Sequence, residues 1–192
     1  SFDGGVALAE GLGVEVGEQA PAHDLEALPG GGRAPVVGHA PDDVLEPLEG
    51  LAAAVDAIAD HFADQGVTKV VGAEARGFLI GAPVAYRMGA GFVPARKPGK
   101  LPREVYRETY SLEYGTDELQ IHRDAIGSGD RVLIVDDLVA TGGTAVATAK
   151  LVEKAGATLV GFSFMLELAF LNPRKAISES YGQELFTLVQ AG

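Results

Sequence analysis

The sequence predicts an α/β fold, a mostly parallel sheet flanked by helices on both faces. Three observations carry that prediction. The segments "VTKVVGA" (67–73), "RVLIVDD" (131–137) and "TLVGFSFMLEL" (158–168) hold near-continuous apolar runs, the pattern of strands buried on both faces. They alternate along the chain with segments of helical periodicity. The run Val132 to Val135 also leads straight into two adjacent carboxylates, Asp136 and Asp137, and then into a Thr-Gly-Gly-Thr turn. In an open parallel sheet, ligands bind beyond the carboxyl ends of the strands, which is where those acids fall.

Each element follows from spacing and punctuation. Residues 1–35 are rich in Gly, Ala and Glu, carry "PGGG" at 29–32 and show weak periodicity, which predicts a loosely structured lead-in. Residues 1–46 are therefore assigned to a small N-terminal element and 47–192 to the core. Leu48, Leu51, Val55, Ile58 and Phe62 fall at helical spacing, and Gly66 supplies a stop. The strand at 67–73 is followed by "GFLIGAPVAYRMG" (77–89), read as a helix despite its Pro and Gly, and by the strand "GFVPARK" (91–97). Two prolines and a glycine make "PGKLPRE" (98–104) a loop. "VYRETYSLEYGTDELQIH" (105–122) has β-formers on both sides of Gly115, and "YGTD" is placed to turn a hairpin that leaves the parallel core. After the strand at 131–137, "TAVATAKLVEKAGA" (144–157) is helical, with Gly156 near its end. The strand 158–168, a short helix around 171–177 and a last strand "LFTLV" (185–189) complete the pattern.

Composition narrows the function. The 192 residues suit one domain with a sizeable core and a small appendage. Apolar residues make up 47 % and no apolar run approaches the roughly 18 residues that span a bilayer, so no membrane partner is expected. With no cysteine, disulfides and thiolate chemistry are excluded. The start "SFDGGVALAEGLG" lacks the basic residues and apolar block of a secretory signal, which makes the cytoplasm the expected compartment. A net charge of −12 argues against nucleic acid as a partner. That charge is uneven. Between Arg76 and Arg107 lie seven basic residues and one acid, Glu104, so this island carries +6 and leaves −18 elsewhere. Such an island points to a local anionic ligand, the alternative being a solvated face that balances charge.

The turn after the two aspartates supplies a candidate anion site. Gly142 and Gly143 let backbone approach a ligand closely, and the start of the following helix offers unpaired N–H groups with a partial positive charge. Thr141 and Thr144 add hydroxyl donors, which together make a phosphate cradle. The chain has no GxxxxGK[ST], so no Walker lysine grips a β,γ-phosphate. Two carboxylates beside a phosphate site suit the two hydroxyls of a ribose, with Mg²⁺ nearby softening their mutual repulsion. The motif therefore reads as a ribose-5-phosphate site. His23, His39, His61 and His122 lack metal-ligand spacing.

"VLIVDDLVATGGT" resembles the signature of the type I phosphoribosyltransferases, which bind 5-phosphoribosyl 1-pyrophosphate (PRPP). "EARGFLIGAPVA" (74–85), "RKPGKLP" (96–102), "YSLEYGTDELQIH" (110–122) and "LELAFLNPRKAI" (167–177) are similar, in order and spacing, to the adenine phosphoribosyltransferases. The resemblance covers about 47–189 and implies the type I fold with a hairpin lid and a small N-terminal hood. It implies that Asp136 and Asp137 hold the ribose hydroxyls and that the backbone from Ala140 through Thr141, Gly142 and Gly143 to Thr144 holds the 5′-phosphate. Arg76 would contact the pyrophosphate from a loop that in this fold often contains a strained non-proline peptide bond, here Glu74–Ala75. Arg96, Lys97 and Lys100 would add positive charge at the pyrophosphate, one of them reaching across a dimer interface. Residues 101–117 would form a mobile lid that keeps water off the reactive carbon. In it, Glu113 would exchange a proton or hydrogen bond with the base, and Tyr114 would help to order the closed state. The implied cofactor is Mg²⁺, carried with PRPP near Asp136 and Asp137. The implied reaction joins adenine to the ribose with inversion, giving AMP and pyrophosphate in purine salvage, and the implied assembly is a homodimer.

The hood departs from the family. Its motif there resembles "PGVxFRDITPLL", whereas the corresponding stretch here is "APVVGHAPDDVLEP" (34–47), with Gly38-His39-Ala40 in place of Phe-Arg-Asp. Val37 and His39 would still frame the base pocket, with Leu168 as an apolar wall opposite. This departure keeps a phosphoribosyltransferase for another purine as an alternative. A non-catalytic PRPP-binding regulator is the third reading; it would have no use for Glu113, Arg76 and Lys100.

Overall fold

A computed structural model describes residues 48–112 and 115–192. The lead-in and hood, with Val37 and His39, lie outside the described residues, as do Glu113 and Tyr114. In chain order the elements are α1 (Leu48–His61), a 3₁₀ turn (Ala63–Gln65), β1 (Lys69–Ala73), α2 (Arg76–Met88) and β2 (Gly91–Ala95). Then come β3 (Val105–Leu112), β4 (Gly115–His122), β5 (Arg131–Val139), α3 (Gly143–Lys154), β6 (Thr158–Leu168), a 3₁₀ turn (Ala169–Leu171), α4 (Pro173–Ser180) and β7 (Glu184–Ala191). No helix among the described residues is long and apolar enough to cross a membrane.

Among the described residues, five strands, all parallel, form the central sheet in the order β2-β1-β5-β6-β7. β5 lies at its centre and shows why the apolar run is continuous. Val132 and Ile134 join a core packed with residues of α3 and α4, while Leu133 and Val135 join a core packed with residues of α1 and α2. Burying each such side chain contributes roughly 1.5–3 kcal/mol, which is how the strand tolerates two acids near its end. α2 survives Pro83 because tertiary packing outweighs propensity: Ile80, Val84 and Ala85 are buried. Glycines let it lie directly on β1, since a Cβ at Gly72 would stand 2.5 Å from the Gly77 carbonyl oxygen.

Boundaries shift where local chemistry decides them. β5 runs two residues past Asp137, because Leu138 and Val139 continue to pair with Leu166 and Glu167 of β6. β2 ends at Ala95, and Arg96 keeps only a bridge to Gln120. α3 stops at Lys154, ahead of Gly156 at φ +76°. α4 begins at Pro173, whose fixed φ suits a first helical position, after Asn172 at φ +53°.

The connections place the site. From β1 the chain passes through α2 to β2 on one side, and from β5 through α3 to β6 on the other. β1 and β5 are neighbours, so their carboxyl ends flank the point where the connections diverge, the crevice in which such sheets bind ligands. The antiparallel hairpin β3–β4 stands apart from the sheet, in register from Val105↔His122 to Leu112↔Gly115. Its base is fixed: Leu119 and Ile121 are buried, and Glu108 pairs with Lys150 at 3.1 Å and Lys154 at 2.6 Å on α3.

Candidate active site

A cavity of about 490 Å³ opens at the crevice between the carboxyl ends of β1 and β5. Its walls come from the β1–α2 turn (Glu74, Ala75, Arg76), the end of β5 with the turn into α3, and the hairpin. The Glu74–Ala75 peptide is cis, at the bond the resemblance singles out. Asp136, Asp137, Ala140, Thr141, Gly142, Gly143, Thr144, Arg76 and Lys97 all line the cavity, so chain folding brings together nine of the residues that the sequence nominates.

The turn from β5 into α3 is tightly enclosed. Gly142 caps α3 at φ +85°, a conformation suited to glycine, and contributes no side-chain cap to the first N–H groups of that helix. A Cβ on Gly142 would meet Ile177 Cγ1 at 3.3 Å, so α4 backs the turn tightly. On the other side, the backbone oxygen of Ser111 lies 3.6 Å and Tyr110 Cδ2 3.7 Å from where a Cβ of Gly143 would sit, so the hairpin roofs the cradle.

The two aspartates differ. Asp136 Oδ1 accepts the Asp137 N–H at 2.9 Å and stands 2.7 Å from where a Cβ at Gly77 would be, so only glycine fits the first turn of α2. Burial, with the Asp137 carboxylate beside it, pushes the Asp136 carboxyl well above its ordinary range, and Arg76 offsets this only in part. Asp137 Oδ2 lies 3.0 Å from Arg76 Nη1, an ion pair off the line of a hydrogen bond.

The basic residues divide in the same way. Arg96 Nε donates to Glu74 Oε2 at 2.8 Å, with its guanidinium over the Phe78 ring, and stands behind the cavity wall. Lys97 Nζ donates to Asp117 Oδ2 on β4. Lys100 is exposed beyond the Pro98–Gly99 turn, outside the cavity lining. Leu168, half-buried at the end of β6, is also outside it. Among the described residues, the acids Glu74, Asp117, Asp136 and Asp137 and the bases Arg76 and Lys97 line the cavity.

Residues 42–174 match the family model of the phosphoribosyl transferase domain. Over 147 residues the chain is 54 % identical to the adenine phosphoribosyltransferase of Desulfitobacterium hafniense, a match covering 77 % of this chain and 83 % of that one. The chain belongs to the adenine phosphoribosyltransferase family. Among solved structures, the adenine phosphoribosyltransferase of Rhodothermus marinus superposes with a TM-score of 0.73 at 49 % identity, covering 77 % of this chain and 83 % of that one. The Giardia lamblia enzyme, solved with 9-deazaadenine, does so with a TM-score of 0.74 at 34 % identity, covering 79 % and 84 %.

Two groups in this adenine phosphoribosyltransferase fold escaped the sequence reading. Tyr110 and Asp117 line the cavity from the hairpin, Tyr110 O–H reaching Asp117 Oδ2 at 3.4 Å. Glu167, only 2 % exposed, takes hydrogen bonds from Arg174 Nε at 2.9 Å and Nη2 at 2.7 Å, from Thr187 and from Gln190, which ties the end of β6 to α4 and β7. An acid inside an otherwise apolar strand was the available signal, because a buried carboxylate requires partners.

Proposed function

We propose that the chain transfers the 5-phosphoribosyl group of PRPP to an imidazole-side nitrogen of adenine, giving AMP and pyrophosphate in purine salvage. The observation that carries this is the meeting of the Asp136–Asp137 pair with the open start of α3 at the divergence of β1 and β5, in a chain of this family. The backbone from Ala140 to Thr144 takes the 5′-phosphate, where N–H groups and the helix dipole favour an anion. Asp136 and Asp137 take the ribose hydroxyls, which fixes the sugar for attack by the base. Arg76 and Lys97 meet the diphosphate and stabilise the charge that grows on it as the C–O bond breaks. Arg96 holds Glu74 in the turn behind them. Lys100, exposed outside the cavity lining, is the residue we assign to a second copy's site.

Magnesium fits this donor set, since among the described residues the two β5 aspartates stand together in the cavity wall as oxygen donors. When bound near Asp136 and Asp137, it supplies countercharge to the phosphates. Glu113 is assigned to the base, accepting or returning its proton as the glycosidic bond forms, and Tyr114 to ordering the closed lid over 101–117. Val37, His39 and Leu168 are assigned to the base pocket.

The form we assign is a cytoplasmic homodimer. Its support is the outer face of α2, where Leu79, Pro83 and Tyr86 recur at helical spacing, with Leu79 57 % and Tyr86 88 % exposed. α2 begins at Arg76 in the cavity wall, so a second copy on that face sits beside the site.

The test is a base panel with PRPP and magnesium, following nucleotide formation. AMP from adenine, with no product from hypoxanthine or guanine, is expected. Turnover of another purine instead of adenine would favour the reading suggested by the Gly38-His39-Ala40 departure, and binding without turnover would favour a regulator.

A further inference from the structure

Lys97 stands two residues past β2, and Asp117 stands on β4 directly opposite Tyr110 in the hairpin register. Asp117 is well served. Oδ2 takes the Lys97 ammonium and the Tyr110 hydroxyl, and Oδ1 takes the Glu118 N–H at 2.8 Å. The Lys97 side chain is 47 % exposed and that of Asp117 18 %, so the ammonium is open to a ligand while the carboxylate is largely covered. Among the described acids that line the cavity, Asp117 belongs to the hairpin, Glu74 follows β1, and Asp136 and Asp137 are on β5.

We infer that Asp117 is a positioning residue that competes with the diphosphate for Lys97, yielding the ammonium when the anion arrives and reclaiming it when pyrophosphate leaves. This deepens the reading of Lys97 as a diphosphate ligand and rests on it. The physical cause is charge. A diphosphate at Lys97 sets several negative charges beside the Asp117 carboxylate, and one ammonium cannot serve both at full strength. The cost weakens pyrophosphate binding and speeds its release, which suits a product that must depart. The hydrogen bond from Lys97 to Asp117 holds the ammonium above its ordinary range. Burial pushes Asp117 up, yet the Lys97 ammonium and the Glu118 N–H hold it below its ordinary range. The pair is therefore a formed contact that the ligand must displace.

Calorimetric titration of pyrophosphate, with magnesium, into wild type, Asp117→Asn, Lys97→Met and the double variant tests this. Asp117→Asn keeps the size of the side chain and should bind pyrophosphate about tenfold more tightly than wild type, with slower release. In the Lys97→Met background the same change should gain clearly less, since the competed cation is gone. Unchanged or weaker binding by Asp117→Asn, or an equal gain in both backgrounds, would overturn the inference. If Lys97→Met left pyrophosphate affinity unaltered, the diphosphate role of Lys97 would fall first and this inference with it. Side-chain nitrogen NMR of the wild type gives a readout independent of variants: the Lys97 ammonium signal should shift on adding pyrophosphate, and an unmoved signal contradicts the exchange.

Discussion

Asp136 and Asp137 are consecutive on one strand yet carry opposite burdens. Asp137 has the Arg76 guanidinium at 3.0 Å. Asp136 is pressed between the start of α2 and its neighbour, and burial raises its carboxyl well above the ordinary value of 3.8. A carboxyl raised on folding favours the protonated form, so it costs stability at every pH above its unfolded value. Asp136→Asn should remove that cost. At pH 7 and without ligand we expect a gain of about 1 kcal/mol, or roughly 2–4 °C in melting temperature, together with weaker PRPP binding. A thermal melt of the two proteins decides it: a lowered midpoint would mean that the Asp136 charge is satisfied by its surroundings.

At the scale of elements, the hairpin is held to the body by ion pairs on α3. Burial alone would raise Glu108, but the ammonium groups of Lys154 and Lys150 hold it below its ordinary value of 4.5. A carboxyl lowered on folding contributes stability above its unfolded value, and that contribution fades as pH falls through the folded value. Glu108→Gln should therefore cost about 1 kcal/mol at neutral pH and open the hairpin amides to exchange. The deficit should shrink as the solution is acidified below about pH 4.5. Hydrogen exchange over residues 105–122 measures this, and equal protection in both proteins would show that Leu119 and Ile121 suffice to anchor the hairpin.

Across the whole molecule, α2 presents an outer face on which the apolar side chains of Leu79 and Tyr86 are exposed. If that face of α2 is the seam between two copies, Tyr86→Asp combined with Leu79→Asp should convert a two-chain species to single chains in sedimentation velocity. A wild type already monomeric at micromolar concentration would rule the homodimer out. Much of this architecture was legible in the sequence because burial leaves a linear trace. The continuous apolar run Val132–Val135 marked a strand buried on both faces, and the segment 77–89 read as a helix despite Pro83. The candidate cradle could be nominated because its acids and glycines are contiguous in the chain. Pairings that arise only when the hairpin folds back on β2 were not legible. Lys97 and Asp117 are twenty residues apart and meet through the Arg96↔Gln120 bridge nearby, a contact with no local signature. The central claim is that the two β5 aspartates and the turn into α3 grip a phosphoribosyl group. A crystal grown with AMP measures it directly. The phosphate should lie on the N–H groups of Thr141 to Thr144, with the ribose hydroxyls against Asp136 and Asp137; a nucleotide bound elsewhere, or a cradle without its phosphate, would contradict the account.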